Sequence, residues 1–308
     1  MLRLLENFDE LFDLSYQVGD TALGELLERT LSELDNPGQN WGAEGRREEL
    51  FEESEHSVSF YYRPHLFPGM DLKLRLAHEL QCRLLPRQLP QGSPASISSV
   101  LESYCHLSGD LFGWEMLDDG RFLIWIADMA GHGVRAGLAS AVLRVLIDTL
   151  PRRNKIGPWV SDLNQALHDC LKPECSSLYA TLFLMTLDSD GNAAYCSAAH
   201  PPVLLRRSSG EIEELVSLDR PVGLFGDTPY RTADFRLESE DCLLLYTDGL
   251  VEATGWDGEP FGCQRLRDLL VKKSADPREL TKSIYREITR RQDIDKLEDD
   301  VTFLALKL

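Results

Sequence analysis

The rhythm of apolar positions changes three times along the chain, and each change marks a boundary. Leu4, Leu5, Phe8, Leu11 and Phe12, then Leu23, Leu26, Leu27, Leu31 and Leu34, recur at helical spacing and predict two short helices. Asn36-Pro-Gly-Gln-Asn-Trp-Gly42 breaks that pattern, and after an acidic stretch Val58, Phe60 and Tyr62 alternate as in a short strand. Leu72, Leu76, Leu80 and Leu84 share one face of a further helix, which Pro86 ends because proline has no amide hydrogen for the next turn. From about residue 95 the texture is one of strands and tight turns, with helices inserted in two places.

In that last part the spacing predicts strands at Phe122 to Ala127, Tyr179 to Leu187, Ala193 to Ser197, Val203 to Arg207, Arg231 to Leu237, Cys242 to Tyr246 and Val301 to Leu306. Helices are predicted at Ala136 to Leu150, Pro158 to Leu171, about 262 to 273 and 277 to 291. The turn Asp188-Ser-Asp-Gly-Asn192 joins two of the strands as a hairpin. The mixed order favours an α+β layered fold with antiparallel sheets over a doubly wound parallel sheet. Three regions follow: an acidic N-terminal regulatory or dimerisation region (1–65), mainly helical; a connecting helix (66–90); and a main domain (91–308). The connecting helix is expected either to pack on the main domain as ordinary core or to carry a signal or a homodimer contact.

Charge narrows the partners. The net charge is -19, and residues 1 to 57 hold 4 Arg and no Lys against 15 Asp and Glu, or -11, so more than half of the excess lies in the first fifth of the chain. Nucleic acid and anionic membrane surfaces are disfavoured, which leaves a protein partner. Seven cysteines are scattered without a C-x-x-C pair, and the first ten residues are interrupted by acids before any signal-peptide core could form. A cytoplasmic location is expected.

The candidate chemistry lies in aspartates at strand ends. Asp128 closes the strand Phe122 to Ala127 and opens the flexible turn Met129-Ala-Gly-His132-Gly133. Asp248-Gly249 follows the buried strand Cys242 to Tyr246, Asp299-Asp300 precedes the last strand, and Ser108-Gly109-Asp110 supplies a further acid. A carboxylate at a strand end is held rigidly, and an adjacent glycine lets backbone groups approach a ligand. Aspartates at four such places, without histidine or cysteine ligands, form an all-oxygen set, suited to magnesium or manganese rather than zinc.

Together these segments resemble the metal-dependent protein phosphatases of type 2C, in the bacterial branch typified by the sporulation stage II protein E and the stress-sigma-factor phosphatases. The matching segments, in the family's order, are Leu80-Gln-Cys-Arg-Leu-Leu-Pro86, Ser108-Gly-Asp110, Asp128-Met-Ala-Gly-His-Gly133, Ala199-His-Pro-Pro202, Pro221-Val-Gly-Leu224, Tyr246-Thr-Asp-Gly-Leu250 and Asp299-Asp-Val-Thr302. The resemblance implies a sandwich of two antiparallel sheets flanked by helices, and two divalent cations, Mn or Mg. Asp128 would bridge them, the Met129 carbonyl would bind one, Asp248 and Asp299 would complete the other, and Asp110 would bind directly or through water. Asp300 would stand behind these. The implied reaction is hydrolysis of phosphoserine or phosphothreonine on a regulatory protein, an anti-sigma-factor antagonist by analogy, by water that the paired cations activate. The family's second aspartate, three positions after its Gly-Gly-Asp, is replaced here by Gly113, and Ser108 replaces the first glycine.

Other readings compete with this one. No cysteine has an arginine six positions later, which excludes the usual cysteine phosphatase pattern. Gly131-His-Gly133-Val-Arg-Ala136 fits a dinucleotide fingerprint, but hairpins occupy the place where strand-helix repeats should follow. His132 is a candidate proton donor to the leaving oxygen or a shaper of its turn, and His200, before two prolines, reads as a structural corner. A non-catalytic phosphatase-like domain acting as a signalling adaptor is the alternative, with Gly113 its one hint.

Overall fold

The computed structural model describes residues 59–62, 72–86, 88–171, 178–272, 276–291 and 297–308. The two helices expected between Leu4 and Leu34 lie outside the described residues. Eleven described strands form two sheets. One contains β1 (Ser59–Tyr62), β2 (Ser96–Glu102), β7 (Val203–Arg206), β8 (Ile212–Leu215), β10 (Cys242–Tyr246) and β11 (Val301–Lys307), in the order β1-β2-β11-β10-β7-β8. The other runs β3 (Asp110–Met116), β4 (Phe122–Met129), β5 (Ala180–Leu187), β6 (Asn192–Ala198) and β9 (Ala233–Arg236) in chain order. Every ladder between neighbouring strands is antiparallel except that of β1 on β2, where Ser59 pairs with Ser98 in parallel.

Burial explains why several strands read as unbroken apolar runs. On β10, Leu243 and Leu245 face the inter-sheet core, while Cys242, Leu244 and Tyr246 face a second apolar layer; on β11 the same division separates Leu304 and Leu306 from Val301, Phe303 and Ala305. That outer layer is completed by α5 (Cys263–Lys272) and α6 (Pro277–Arg291), which bury Leu266, Leu270, Leu280, Ile284 and Ile288 at helical spacing. Each such side chain contributes about 1.5 to 3 kcal/mol of transfer free energy. The Ser98 hydroxyl meets Thr281 Oγ1 at 2.7 Å and fixes α6 on β2. Across the sandwich, α2 (Val134–Thr149) and α3 (Ile156–Leu171) cover the five-stranded sheet through Ala136, Ala139, Leu143, Trp159, Leu163 and Leu167. The layers are therefore helix, sheet, sheet, helix.

The expected α+β sandwich is present, with adjustments that have local causes. Helix α3 begins two residues before Pro158, because a first-turn proline lacks only an amide that the helix would leave unpaired. Strands β2, β3 and β8 and the short α4 (Asp248–Glu252) are additions to the sequence reading. Within the segment expected as a connecting helix (66–90) lies the helix α1 (Leu72–Arg83), whose Gln81 side chain bonds the Ser108 backbone. Among the described residues, no helix is long and apolar enough to cross a membrane.

Candidate active site

Both sheets deliver acids to one end of the sandwich. Because β3 and β4 are antiparallel, the first residue of β3, Asp110, stands opposite Asp128 near the end of β4. In the other sheet β10 and β11 are antiparallel, so Asp248, just after β10, and Asp299-Asp300, just before β11, fall at the same end. The bond from the Thr247 amide to the Thr302 carbonyl (2.9 Å) and that from the Thr302 amide to Thr247 Oγ1 (3.1 Å) extend this ladder to the acids.

Two hydrogen-bonded contacts join the sheets here. The Thr247 hydroxyl donates to Asp110 Oδ2 at 2.8 Å, and Asp300 accepts the Gly109 amide at 2.7 Å through Oδ2 and the Tyr104 amide at 2.7 Å through Oδ1. Two glycines allow the backbones to close. A Cβ at 109 would lie 3.0 Å from the Met129 carbonyl oxygen, and one at 249 would run into the Asp300 carbonyl. Thr247, the residue before α4, leaves that helix without a side-chain cap, its hydroxyl being engaged at Asp110.

The acids differ in exposure. Asp110 and Asp300 are buried, Asp128 and Asp248 are partly open, and Asp299 is exposed. Burial, together with the negative charges of Asp248, Asp299 and Asp300, pushes the Asp128 carboxyl up to about 8. Asp110 is held well above the usual carboxylate range by burial and by the charges of Asp128 and Asp300. Asp299 is also raised, by desolvation first, against the pull of the Asp300 amide that donates to it at 2.8 Å. These are carboxylates crowded together against their own repulsion.

A divalent cation fits this chemistry, since it would relieve the repulsion with oxygen donors of the kind present. Among the described residues, no group of three His, Cys, Asp or Glu side chains could by itself hold a metal ion. An open arrangement suits magnesium, which keeps several waters and takes few direct carboxylates.

Asp110, Asp128, Met129, Asp248 and Asp299 are thus gathered at one end, with Asp300 behind them. His132 is exposed, sets its ring edge-on to Tyr104 at 5.2 Å, and lies near enough for its charge to be felt at Asp299. His200 is a buried corner: its Nδ1 meets Thr181 Oγ1 at 2.9 Å, and desolvation lowers its pKa to about 3.

Gly113 is not a gap in the acid cluster. Three residues from Asp110 along a strand, it faces the opposite side of the sheet. A Cβ there would meet the Trp125 ring at 2.5 Å and the Arg144 guanidinium at 2.6 Å, beneath α2.

Three contributors carried no role in the sequence reading: Thr247, the Gly109 amide and Gln81. Gln81 on α1 donates from Nε2 to the Ser108 carbonyl (2.7 Å) and the Ser140 hydroxyl (3.0 Å), and its Oε1 accepts the Ser108 amide (2.9 Å). It thereby fixes the backbone two residues before Asp110. Both Gln81 and Thr247 stand inside motifs visible in the sequence, but only the fold shows what they touch.

Residues 118–308 match the family model described as Stage II sporulation protein E (SpoIIE). The phosphoserine phosphatase RsbP of Bacillus subtilis strain 168 is 27% identical over 239 residues, which cover 76% of this chain and 57% of RsbP. The curated relatives matched over 76% of this chain are themselves covered over 41% to 70% of their length. Among solved structures, the SiaA-PP2C domain of Pseudomonas aeruginosa superposes with a TM-score of 0.65 at 24% identity, over 77% of this chain and 96% of that domain. RsbX in complex with magnesium gives a TM-score of 0.52 at 19% identity, over 70% and 94% of the two chains.

Proposed function

This chain belongs to the stage II sporulation protein E family, and on that footing we propose that it is a metal-dependent protein phosphatase. It acts on phosphoserine or phosphothreonine of a regulatory protein in the cytoplasm, with an anti-sigma-factor antagonist of a partner-switching pathway as the substrate class. RsbP, a relative that carries the name phosphoserine phosphatase, supports the reaction, and RsbX with magnesium supports the cofactor. The observation that carries the reading is the meeting of Asp110, Asp128, Asp248 and Asp299 from two sheets, with the Asp128 carboxyl pushed up to about 8 by burial and neighbouring acids.

Asp128, the Met129 carbonyl, Asp248 and Asp299 would hold two divalent cations, magnesium or manganese, with Asp110 binding directly or through water. When bound, such ions acidify water and neutralise charge on phosphoryl oxygens. The protein's own part is positional. Thr247 fixes Asp110, and Asp300 fixes the Gly109 turn, so the acids from the two sheets keep their spacing. His132, exposed at the rim, would give a proton to the departing serine oxygen. The adaptor reading loses its one support, because Gly113 faces α2 rather than the acids.

Asp128→Ala and Asp248→Asn are expected to lower manganese-stimulated hydrolysis of a phosphoserine peptide by more than about 10³-fold while circular dichroism stays unchanged. A wild-type rate in either variant would overturn the proposal. The acidic region 1–65 and the connecting helix are assigned regulation or homodimerisation, which sedimentation of full-length and shortened chains tests.

A further inference from the structure

The segment between β8 and β9 carries an arginine that the acid cluster does not use. Asp219 to Val222 lies across the ends of β5 and β6: the Asp219 carbonyl accepts the Ala199 amide at 2.9 Å, and Val222 and Ala180 exchange both backbone bonds at 2.9 Å. Ala180 is the cross-strand partner of Met129, and Thr181 that of Asp128. Val222 is therefore two ladder steps, about 10 Å, from the backbone of Met129.

Within this segment neighbouring charges have opposite fates. The Asp219 side chain is 8% exposed and engaged by Arg231, through Nε at 2.8 Å and the amide at 2.9 Å. Arg220 is exposed and makes no ion pair among the described residues; its guanidinium lies 5.0 Å from the centre of the Phe225 ring. Phe225 is 47% exposed, yet its backbone is fixed, because the buried Asn164 donates from Nδ2 to its carbonyl at 2.8 Å. Leu218, two residues before Arg220, is also 47% exposed. A stacked guanidinium loses little freedom on meeting a carboxylate, and its fork matches that group.

We propose that Arg220, on its Phe225 platform, binds an acidic side chain of the substrate protein a few residues from the phosphoserine, so that this segment sets sequence preference. The inference rests on the phosphatase reading above. An extended peptide advances ~3.3 Å per residue, so the distance of about 10 Å from Met129 to Val222 corresponds to roughly three residues, and Arg220, two residues before Val222, to roughly three to five. The chain's net charge of -19 repels an acidic peptide in general, which makes an unpaired arginine at this rim a selective point of entry.

The test compares wild type, Arg220→Glu and Arg220→Lys with manganese present on three substrates. These are a phosphoserine peptide with glutamates at positions three to five to either side, the same peptide with lysines there, and p-nitrophenyl phosphate. Wild type should prefer the glutamate peptide. Arg220→Glu should lower kcat/KM on it about fivefold or more, mainly through KM, and turn the preference toward lysine; Arg220→Lys should retain part of the wild-type preference. Turnover of p-nitrophenyl phosphate should remain within about twofold in both variants. Equal use of the two peptides by wild type, an unchanged preference in Arg220→Glu, or a parallel loss on p-nitrophenyl phosphate overturns the inference while leaving the phosphatase reading intact. Wild type that hydrolyses none of the three overturns that reading and this inference with it.

Discussion

Asp300 and Asp128 are the same chemical group a short distance apart, and their surroundings give them opposite tasks. Asp300 is buried with two backbone amides aimed at it, so its oxygens are satisfied by the fold. Asp128 is partly open and surrounded by other acids, so its charge is left for something outside the chain to satisfy. The rear acid holds the architecture together, while the front acid stores repulsion that a bound cation would release.

The sharpest way to break this comparison is to truncate each acid in turn. Asp300→Ala strands the Tyr104 and Gly109 amides in the interior, and should cost about 3 kcal/mol of unfolding free energy in urea titrations. Asp128→Asn removes the charge that its acidic neighbours repel while keeping an oxygen and a donor toward Asp110, so the metal-free variant should be at least as stable as wild type although turnover is expected to be lost. Equal destabilisation by the two changes would erase the distinction.

A second test separates the cluster from the opposite face of the same sheet. Gly113→Ala presses a methyl group against Trp125 and Arg144 and should cost about 1 to 3 kcal/mol by overpacking. Its magnesium affinity, measured by calorimetry below the melting transition, should match wild type. A large fall in affinity would tie position 113 to the metal site after all.

The smallest expected effect is a pH dependence. An unfolded aspartate titrates near ~3.9, whereas Asp128 in the metal-free fold is raised to about 8. Between these values the folded state binds more protons than the unfolded one, so stability falls as pH rises, and the decline ends above about 8. Buried His78 and His200 are lowered and contribute with the opposite sign, but only below the ordinary histidine range near ~6.5. From pH 7 to 8 Asp128 alone should therefore cost metal-free wild type up to about 1 kcal/mol, and Asp110, also raised by burial and by the charges of Asp128 and Asp300, adds with the same sign. In melting curves Asp128→Asn should reduce that slope, and saturating magnesium should flatten it.

Local pattern carried the reading wherever one element settles its own form. Cys242 to Tyr246 is a pure apolar run and Pro277 to Arg291 an amphipathic helix, and both stand at the bounds the sequence suggested. Ser96–Glu102 was missed because its serines resemble a loop; Ser98 is tolerated in the core because Thr281 meets its hydroxyl. Ile212–Leu215 is short and largely exposed, with little pattern to find. Asp248-Gly249 reads as a turn but starts a five-residue helix, since the glycine must pack under Asp300, some fifty residues later in the chain. The aspartates were visible as strand ends, whereas the Thr247 to Asp110 contact spans 137 residues and no local spacing encodes it.

The position of β11 between β2 and β10 has a consequence for synthesis. A growing polypeptide leaves the ribosome with Asp110, Asp128 and Asp248 long before Asp299 and the strand that aligns it. Until Val301 to Lys307 emerge, the middle of that sheet is missing and β2 and β10 have no partner across the gap. A chain interrupted before Val301 would thus lack β11 and the frame that brings Asp299 and Asp300 beside Asp248.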